Sequence, residues 1–186
     1  MIQAADFAAD AQIETVPAEL MAEPLDWFFA EHYRHRQLCR LVERLARSDV
    51  FDGACLATVI AFLRHDLPLH VLDEEEDLFP LLRRRAAPED DIERILGMLT
   101  DDHGGDRDRV GHLLRGLEKA GAEGMPPSRE AGLRALLLEF VALERRHVAL
   151  ENAIVIPIAR LRLKPQDLQD LSHRMAARRR SVAHPD

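Results

Sequence analysis

The sequence contains few aromatic residues and almost no runs of β-branched residues. Aromatic side chains make up 5% of its 186 residues, and Leu, Ala, Arg and Glu dominate the composition. Because strands are enriched in β-branched and aromatic residues, this composition disfavours a sheet and favours helices. A chain of this length is expected to form one domain that buries a substantial core.

Cysteine, basic charge and long apolar runs are also scarce. Cys39 and Cys55 are far apart and form no CxxC pair, so we expect reduced core thiols, with a disulfide or a thiolate metal ligand as the alternative. The net charge of −8 argues against a general nucleic-acid surface. No signal peptide is recognisable, and no run approaches the ~18 uncharged apolar residues of a membrane span. These absences predict a cytoplasmic protein with neither nucleic acid nor membrane as a partner.

Apolar residues that recur at steps of three and four predict long amphipathic helices. The five predicted helices run from 24 to about 47, from an N-cap at Asp52 to about 84, from 88 to about 120 with a stop at Gly121, from an N-cap at Ser128 to about 162, and from 165 to about 180. Pro68 is expected to kink the second helix, and Pro80 to distort or end its last turns.

Short loops between these helices predict an all-α fold, an antiparallel up-down-up-down four-helix bundle with an additional C-terminal helix. We expect a loose N-terminal arm at 1–16, the bundle at 17–163, and a C-terminal helix and tail packed on the bundle at 164–186. Short charged runs such as 73–77 and 178–180 are expected to be solvated helix faces.

An internal repeat relates the two halves of the chain. The residues of the first half that recur at identical offsets are His70, Val71, Glu74, Pro80 and Arg83, and their counterparts are His147, Val148, Glu151, Pro157 and Arg160. A weaker repeat lies upstream of each of these segments. In both copies an acid precedes a histidine, and an arginine follows four residues after that histidine: Glu31-His32 with Arg36, and Asp102-His103 with Arg107. A twofold repeat of helix pairs brings all four helices around one pseudo-axis.

The spacing of the repeat predicts a dinuclear metal site. A histidine and a glutamate four residues apart lie on the same helix face, roughly 5–6 Å apart at Cβ. Four imidazoles and two carboxylates suit a pair of hard or borderline divalent ions, with iron or manganese favoured. The alternative is a set of buried polar groups that satisfy one another, but burying six such groups without a metal is expensive. The candidate metal ligands are His32, His70, Glu74, His103, His147 and Glu151.

The remaining polar residues give weaker signals, and no catalytic or other cofactor-binding residue is predicted. His35 lies one turn from His32, and a surface or half-buried position is favoured over a role as an extra ligand or a support. The histidines without a partner pattern are expected to face solvent: His65, His112, His173 and His184. Solvation is likewise the default for Asp73, Glu75 and Glu76, although one of them could support a ligand. Arg36 and Arg107 either hold carboxylates in place or extend into water.

These residues resemble the hemerythrin-like HHE cation-binding family over residues 24–162. The most specific piece is 70–80 (HVLDEEEDLFP), supported by 147–157 and the two upstream histidines. The resemblance implies an antiparallel four-helix bundle around two iron ions, oxo- or hydroxo-bridged, with the six candidate residues as ligands and manganese or zinc as alternative metals. The implied partner is dioxygen, peroxide or nitric oxide, for a protein that is a monomer or a homodimer.

One departure from the oxygen-carrying hemerythrins bears on function. Their third helix has a second histidine one turn after the first, where this chain has Arg107. Reversible oxygen carriage is therefore only one of several uses, and the resemblance indicates a di-iron protein that binds or reacts with dioxygen or a related oxidant.

The alternative is a metal, oxygen or redox sensor or interaction module without turnover, because Pro68 and the glycines at 104 and 105 loosen helices near the ligands. Weak peroxidase- or catalase-like activity ranks lower, since no general acid/base pair is identifiable beyond the ligands. A ferritin-type ferroxidase ranks lower still, because it expects Glu-x-x-His spacing.

Overall fold

Five long helices build the molecule, which a computed structural model describes over residues 11–183. They are α1 (Pro24–Arg47), α2 (Gly53–Arg85), α3 (Ile92–Glu123), α4 (131–162) and α5 (Pro165–Ala183). Short 3₁₀ turns precede α1, α3 and α4 at Ala18–Ala22, Pro88–Asp90 and Pro127–Arg129. No strand occurs in this part of the chain.

The first four helices form an antiparallel bundle, because short connections at 48–52, 86–91 and 124–130 return the chain each time. Each helix contacts the next, α4 packs along α1 to close the bundle, and α5 lies against α1 and α2. The predicted all-α four-helix bundle with an additional C-terminal helix is confirmed.

Helix ends agree with the sequence at α1, at α2 and at the end of α4 near 162, but not at α3 or at the start of α4. Asp52 caps α2 as predicted, accepting the backbone N–H of Cys55 at 2.9 Å. The predicted stop of α3 at Gly121 is wrong, since the helix continues to Gly124, which has a φ of 62° and takes the left-handed conformation that glycine allows. The predicted cap at Ser128 is also wrong, because the carboxylate of Glu130 accepts the first N–H groups of α4. Ser128 instead donates to the carbonyl of Ser48 at 2.6 Å.

Three π turns interrupt α2 and α4 without ending them. They lie at Phe62–Asp66, Asp73–Leu78 and Glu151–Val155. Each ends two residues before a proline, namely Pro68, Pro80 and Pro157. A proline lacks an N–H and crowds the carbonyl four residues earlier, and a wider turn relieves that crowding. The irregularity expected at Pro68 is thus a π turn, and Pro80 does not end α2, which continues to Arg85.

The buried side chains form two hydrophobic clusters, one toward each end of the bundle. The first cluster includes Leu38, Val42, Leu113, Leu137 and Phe140, and the second includes Phe28, Leu78, Phe79, Leu99 and Val155. Along each of the four helices the candidate ligands fall between members of these clusters. The polar residues therefore form a layer between two apolar clusters.

The N-terminal segment and the cysteines also contribute to the core. Of the predicted loose arm, residues 1–10 lie outside the described residues, while Ala11 is buried and Ile13 packs on the first cluster, so the described end of this arm is packed. Cys39 and Cys55 are buried and not bonded to each other, as expected of core thiols. Burial raises the pKa of Cys39 to about 12, which makes it an inert thiol.

By length and composition alone, α2 is able to cross a membrane, even though it contains Arg64 and Asp66. One of its faces, with Phe62, Leu63 and Leu67, is buried in the bundle. The core helix of a bundle passes the same test of length and composition, so this property is weak evidence for a membrane span.

Candidate metal centre

The six candidate ligands converge in the polar layer from four helices. His32, His70, Glu74 and Glu151 form one group, and Glu74, His103, His147 and Glu151 form the other. Within each group the ligand atoms lie within 4.8 Å of one another. Glu74 and Glu151 belong to both groups, so the two carboxylates lie between two pairs of imidazoles.

The distances follow the internal repeat. On α2, His70 Nε2 lies 3.3 Å from Glu74 Oε1, and on α4, His147 Nε2 lies 3.3 Å from Glu151 Oε1. Across helices, His32 Nε2 lies 3.3 Å from Glu151 Oε2, and His103 Nε2 lies 3.4 Å from Glu74 Oε2. Two donor atoms bound at about 2.1 Å and at a right angle would lie about 3.0 Å apart, so these spacings are close to those of ligands on a shared ion.

Several of the donor atoms that face the centre lack hydrogen bonds, although Nε2 of His103 and Nε2 of His147 contact each other at 3.0 Å. Within residues 11–183, no hydrogen-bond partner exists for Nε2 of His32 or His70, for Oε2 of Glu74, or for either carboxylate oxygen of Glu151. All of these atoms are buried. Buried polar atoms without partners are costly in a folded protein, and coordination to a cation removes the cost. The residues therefore fit a pair of metal ions.

The other ring nitrogens are held by neighbouring side chains. The contacts are His32 Nδ1 to Asn152 Oδ1 at 3.0 Å, His70 Nδ1 to Glu31 Oε2 at 3.0 Å, and His103 Nδ1 to Glu75 Oε1 at 2.7 Å. Each is consistent with an Nδ1–H that donates to an oxygen, which leaves the Nε2 lone pair toward the centre. For His147, the acid that faces Nδ1 is Asp102, with Oδ2 at 3.6 Å from that nitrogen, too long for a hydrogen bond.

These supporting residues follow the same repeat as the ligands. Glu31 and Asp102 each precede a candidate ligand, yet each faces the histidine of the next helix, His70 or His147. Glu75 follows Glu74 as Asn152 follows Glu151. Solvation was therefore the wrong default for Glu75, which also accepts from Thr100 Oγ1 at 3.1 Å. Extending the repeat by one residue would have revealed this role.

Ionisation in the cluster is governed by the mutual attraction of its members. Burial alone would raise the pKa of Glu74, but the surrounding histidines, His70 foremost, hold that pKa well below its usual range. Burial alone would lower the pKa of His147, but Glu151 and other carboxylates raise it to about 10. The pKa of His70 is likewise raised well above 6.5, against burial, by Glu74 and Glu31. Protons therefore compete with metal ions for the same imidazoles.

A second buried pair, His35 and Glu144, lies beside the cluster. His35 is 2% exposed, which corrects the expected surface or half-buried position. Its Nδ1 lies 2.5 Å from Glu144 Oε1, and its ring centroid lies 4.4 Å from that of His70. His35 belongs to neither ligand group. Burial and His70 lower the pKa of His35, whereas the hydrogen bond from His35 and the attraction of the surrounding histidines together overcome burial and lower the pKa of Glu144 to about 2. We therefore describe the pair as a neutral imidazole that donates to a carboxylate.

The other histidines and the two arginines of the repeat lie outside the centre. His65, His112 and His173 are exposed as predicted, and His184 lies outside the described residues. Arg36 and Arg107 are exposed and form no ion pair with any described residue, so they extend toward water rather than hold carboxylates.

Helix α5 connects to the centre through two arginines that the sequence indicated to be solvated. Arg179 contacts Glu31 Oε1 at 3.2 Å and Asp73 Oδ2 at 2.6 Å, and its guanidinium lies 4.8 Å from the centroid of Trp27. Arg178 pairs with Asp73 as well, and Asp73 is fully buried. The charged runs at 73–77 and 178–180 thus form much of the interface between α2 and α5. Because Glu31 also holds His70, the interface reaches the candidate metal ligands.

A four-helix bundle whose core has a paired histidine and carboxylate cluster defines a class of metal-binding helical proteins. The family model of the hemerythrin HHE cation binding domain matches residues 23–159 of this chain. The chain therefore belongs to the hemerythrin HHE cation-binding family, as its motifs predicted. No curated protein matches the sequence.

Proposed function

We propose that this chain binds two iron ions, which the side chains of Glu74 and Glu151 bridge. His32 and His70 complete one position, and His103 and His147 complete the other. The observation that carries the proposal is the set of buried nitrogen and oxygen atoms that point at one another without hydrogen bonds. Imidazole and carboxylate donors suit iron, manganese or zinc, and the family match favours a cation in this place.

We further propose that the iron pair binds or reacts with dioxygen or a related small oxidant. Two imidazoles and the shared carboxylates provide few donors for each ion, and Arg107 supplies none, which leaves positions for an exogenous ligand. Reduced iron, when bound, would supply electrons to such a ligand. The chain's own contribution is to hold the imidazoles through Asn152, Glu31 and Glu75 and to keep bulk water out with the apolar clusters on both sides.

The test combines metal analysis with absorption spectroscopy of protein loaded anaerobically with Fe(II) and then exposed to air. We expect about two ions per chain and new near-ultraviolet absorption after exposure to air. His147→Ala should retain fewer ions, whereas His112→Ala, at an exposed histidine, should behave as the wild type. A chain that carries two irons and shows no spectral change would refute the oxidant reaction. Stronger retention of manganese or zinc than of iron would refute the choice of metal.

A second candidate function is a metal or redox sensor without turnover, and the contacts of α5 favour it. Arg179 contacts Glu31, and Glu31 contacts the ligand His70, so α5 and the metal position share one chain of contacts. A change at the metal would alter how firmly α5 is held, and a partner would recognise that change. This candidate requires amide hydrogen exchange in α5 to depend on metal content.

A further inference from the structure

A cavity of about 550 Å³ opens between α2 and α3 and ends at the polar layer. Its walls are mainly apolar, with Leu63, Leu67, Val71, Val110 and Leu114. Its lining also includes three candidate ligands, His70, His103 and His147. A molecule in this cavity would therefore reach the metal centre.

The size of the cavity exceeds the needs of a diatomic ligand. A water molecule in the liquid occupies about 30 Å³, and dioxygen is of similar scale. Sites for small organic molecules span roughly 300–1,000 Å³ and combine apolar walls with a few polar groups. The cavity volume of about 550 Å³ falls within that range.

The charges around the cavity leave one cation without an ion-pair partner. Each of the acids in the lining is already engaged: Glu75 with His103, Glu144 with His35, and Asp106 with Arg109. Among the basic residues, Arg64 pairs with Glu118. Arg107 alone of the charged lining residues has no ion-pair partner among residues 11–183, and it is exposed at the rim.

We propose that this cavity binds a small organic monocarboxylate with an apolar body. Its carboxylate pairs with the Arg107 guanidinium at the rim, and its apolar end fills the space toward the imidazoles. Arginine presents planar donors that match a carboxylate, and the aliphatic walls match a hydrocarbon body. This site goes beyond the proposed reaction with a small oxidant, and its binding can be measured independently of metal chemistry.

Gly104 provides a way to reduce the cavity without disturbing the bundle. It lies in the lining, and a Cβ built there meets no atom within 4 Å. Gly97 on the same helix also has free space around its Cβ position but does not line the cavity. Leucine favours a helix more than glycine by nearly 1 kcal/mol, so Gly104→Leu and Gly97→Leu should both fold.

The experiment is isothermal titration of the purified protein, of measured metal content, with octanoate and with uncharged 1-octanol. We expect saturable binding of octanoate, and Gly104→Leu should weaken both ligands while Gly97→Leu changes neither. Arg107→Gln should weaken octanoate about fivefold, as for a partly exposed charge pair, and leave 1-octanol unchanged. Arg115→Gln, at an exposed arginine on α3 outside the lining, is the matched control.

Absence of saturable octanoate binding would overturn the proposal, as would equal effects of the two glycine variants. If Arg107→Gln weakened both ligands equally, the carboxylate assignment would be wrong. Octanoate binding to protein that takes up no metal would contradict the proposed function and leave this site standing. The reverse result, two ions per chain without octanoate binding, would contradict this inference alone.

Discussion

At the scale of single residues, Glu144 shows that not every buried acid of the core is a ligand. It is fully ionised at neutral pH, because the hydrogen bond from His35 and the attraction of the surrounding histidines together outweigh the cost of burial and lower its pKa to about 2. His35 in turn packs on His70, whose ring it helps to fix. The pair thus supports the metal ligands by position, without donating an atom to the centre.

Replacing Glu144 by leucine should lower the free energy of unfolding by about 2 kcal/mol, because it leaves the buried Nδ1–H of His35 without an acceptor. Glu144→Gln, which retains an oxygen acceptor, should cost less. Urea unfolding at pH 7 measures both. Equal losses for the two variants would show that packing, not the hydrogen bond, is what Glu144 contributes.

The same residue should produce an acid-dependent loss of stability. Its pKa is about 2 in the folded chain against 4.5 when unperturbed, so its contribution is present above pH 4.5 and is lost as the pH falls through 2. The stability difference between wild type and Glu144→Gln should therefore shrink on acidification. A difference that stays constant between pH 6 and pH 2.5 would contradict the assignment.

Which residues converge was predictable from spacing, and a longer repeat would have indicated Glu75, but the partners of Glu31 and His35 were not predictable. Two His-x-x-x-Glu pairs fix their own faces because residues four apart share a helix side, whatever the tertiary structure. The contact of Glu31 with His70 depends on how α1 is rotated against α2, which no local pattern specifies. The burial of His35 depends likewise on Glu144 of α4.

At the scale of helices, the bounds of α1 were predicted and the N-terminus of α4 was not. The start of α1 at Pro24 agrees with the preference of proline for the first turn. At α4, Ser128 and Glu130 were both able to cap, and the contact of Ser128 with Ser48 decided the outcome. Likewise, three glycines in 111–121 continue as helix, because packing overrides their weak intrinsic preference.

Arg179 connects helix α5 to the candidate metal centre. Replacing Arg179 should therefore change metal binding. Arg179→Met leaves the fully buried Asp73 with one partner fewer, and should lower the free energy of unfolding by about 2 kcal/mol. It also releases Glu31, which should weaken metal affinity about tenfold, the lower end for residues that orient ligands.

Arg180→Met is the matched control, since Arg180 is an exposed neighbour on the same helix and should change stability by no more than about 0.5 kcal/mol. Chelator competition measures the affinity, and amide exchange measures how firmly α5 is held. The sensor candidate would be ruled out by two results together: Arg179→Met leaves metal affinity unchanged, and amide hydrogen exchange in α5 does not depend on metal content.

At the scale of the whole molecule, the polar layer between the two apolar clusters contains buried carboxylates. Their charge is balanced either by bound metal ions or by protons on the histidines, so metal binding and protonation compete. Three histidines of the layer, His70, His103 and His147, have a raised pKa, and each must lose its extra proton to bind an ion. Loading at pH 7 should therefore release at least one proton per chain, from His147, whose pKa is about 10. Calorimetric titration in buffers of different ionisation enthalpy measures this number, and a release near zero would contradict the assigned ionisation.

The same histidines determine whether stability and metal affinity rise or fall with pH. In metal-depleted protein, the contribution of His147 is fully present below pH 6.5 and is lost as the pH rises through about 10. Metal affinity should change in the opposite direction and increase with pH.

The overall bundle was predictable because apolar periodicity and short loops specify it. The balance between protonation and metal binding was not predictable, because it depends on contacts between helices.

The two halves of the internal repeat surround the two proposed metal positions with different neighbours. They place an anion, Glu75, on the ring of His103 but a neutral amide, Asn152, on the ring of His32. An imidazole that donates to a carboxylate is the stronger electron donor. The other histidine of each proposed position reverses this difference, since Glu31 holds the ring of His70 while His147 Nδ1 has no hydrogen-bond partner among residues 11–183. Each proposed position therefore has one imidazole held by a carboxylate, and if two ions bind as proposed, these contacts should make the two positions similar electron donors.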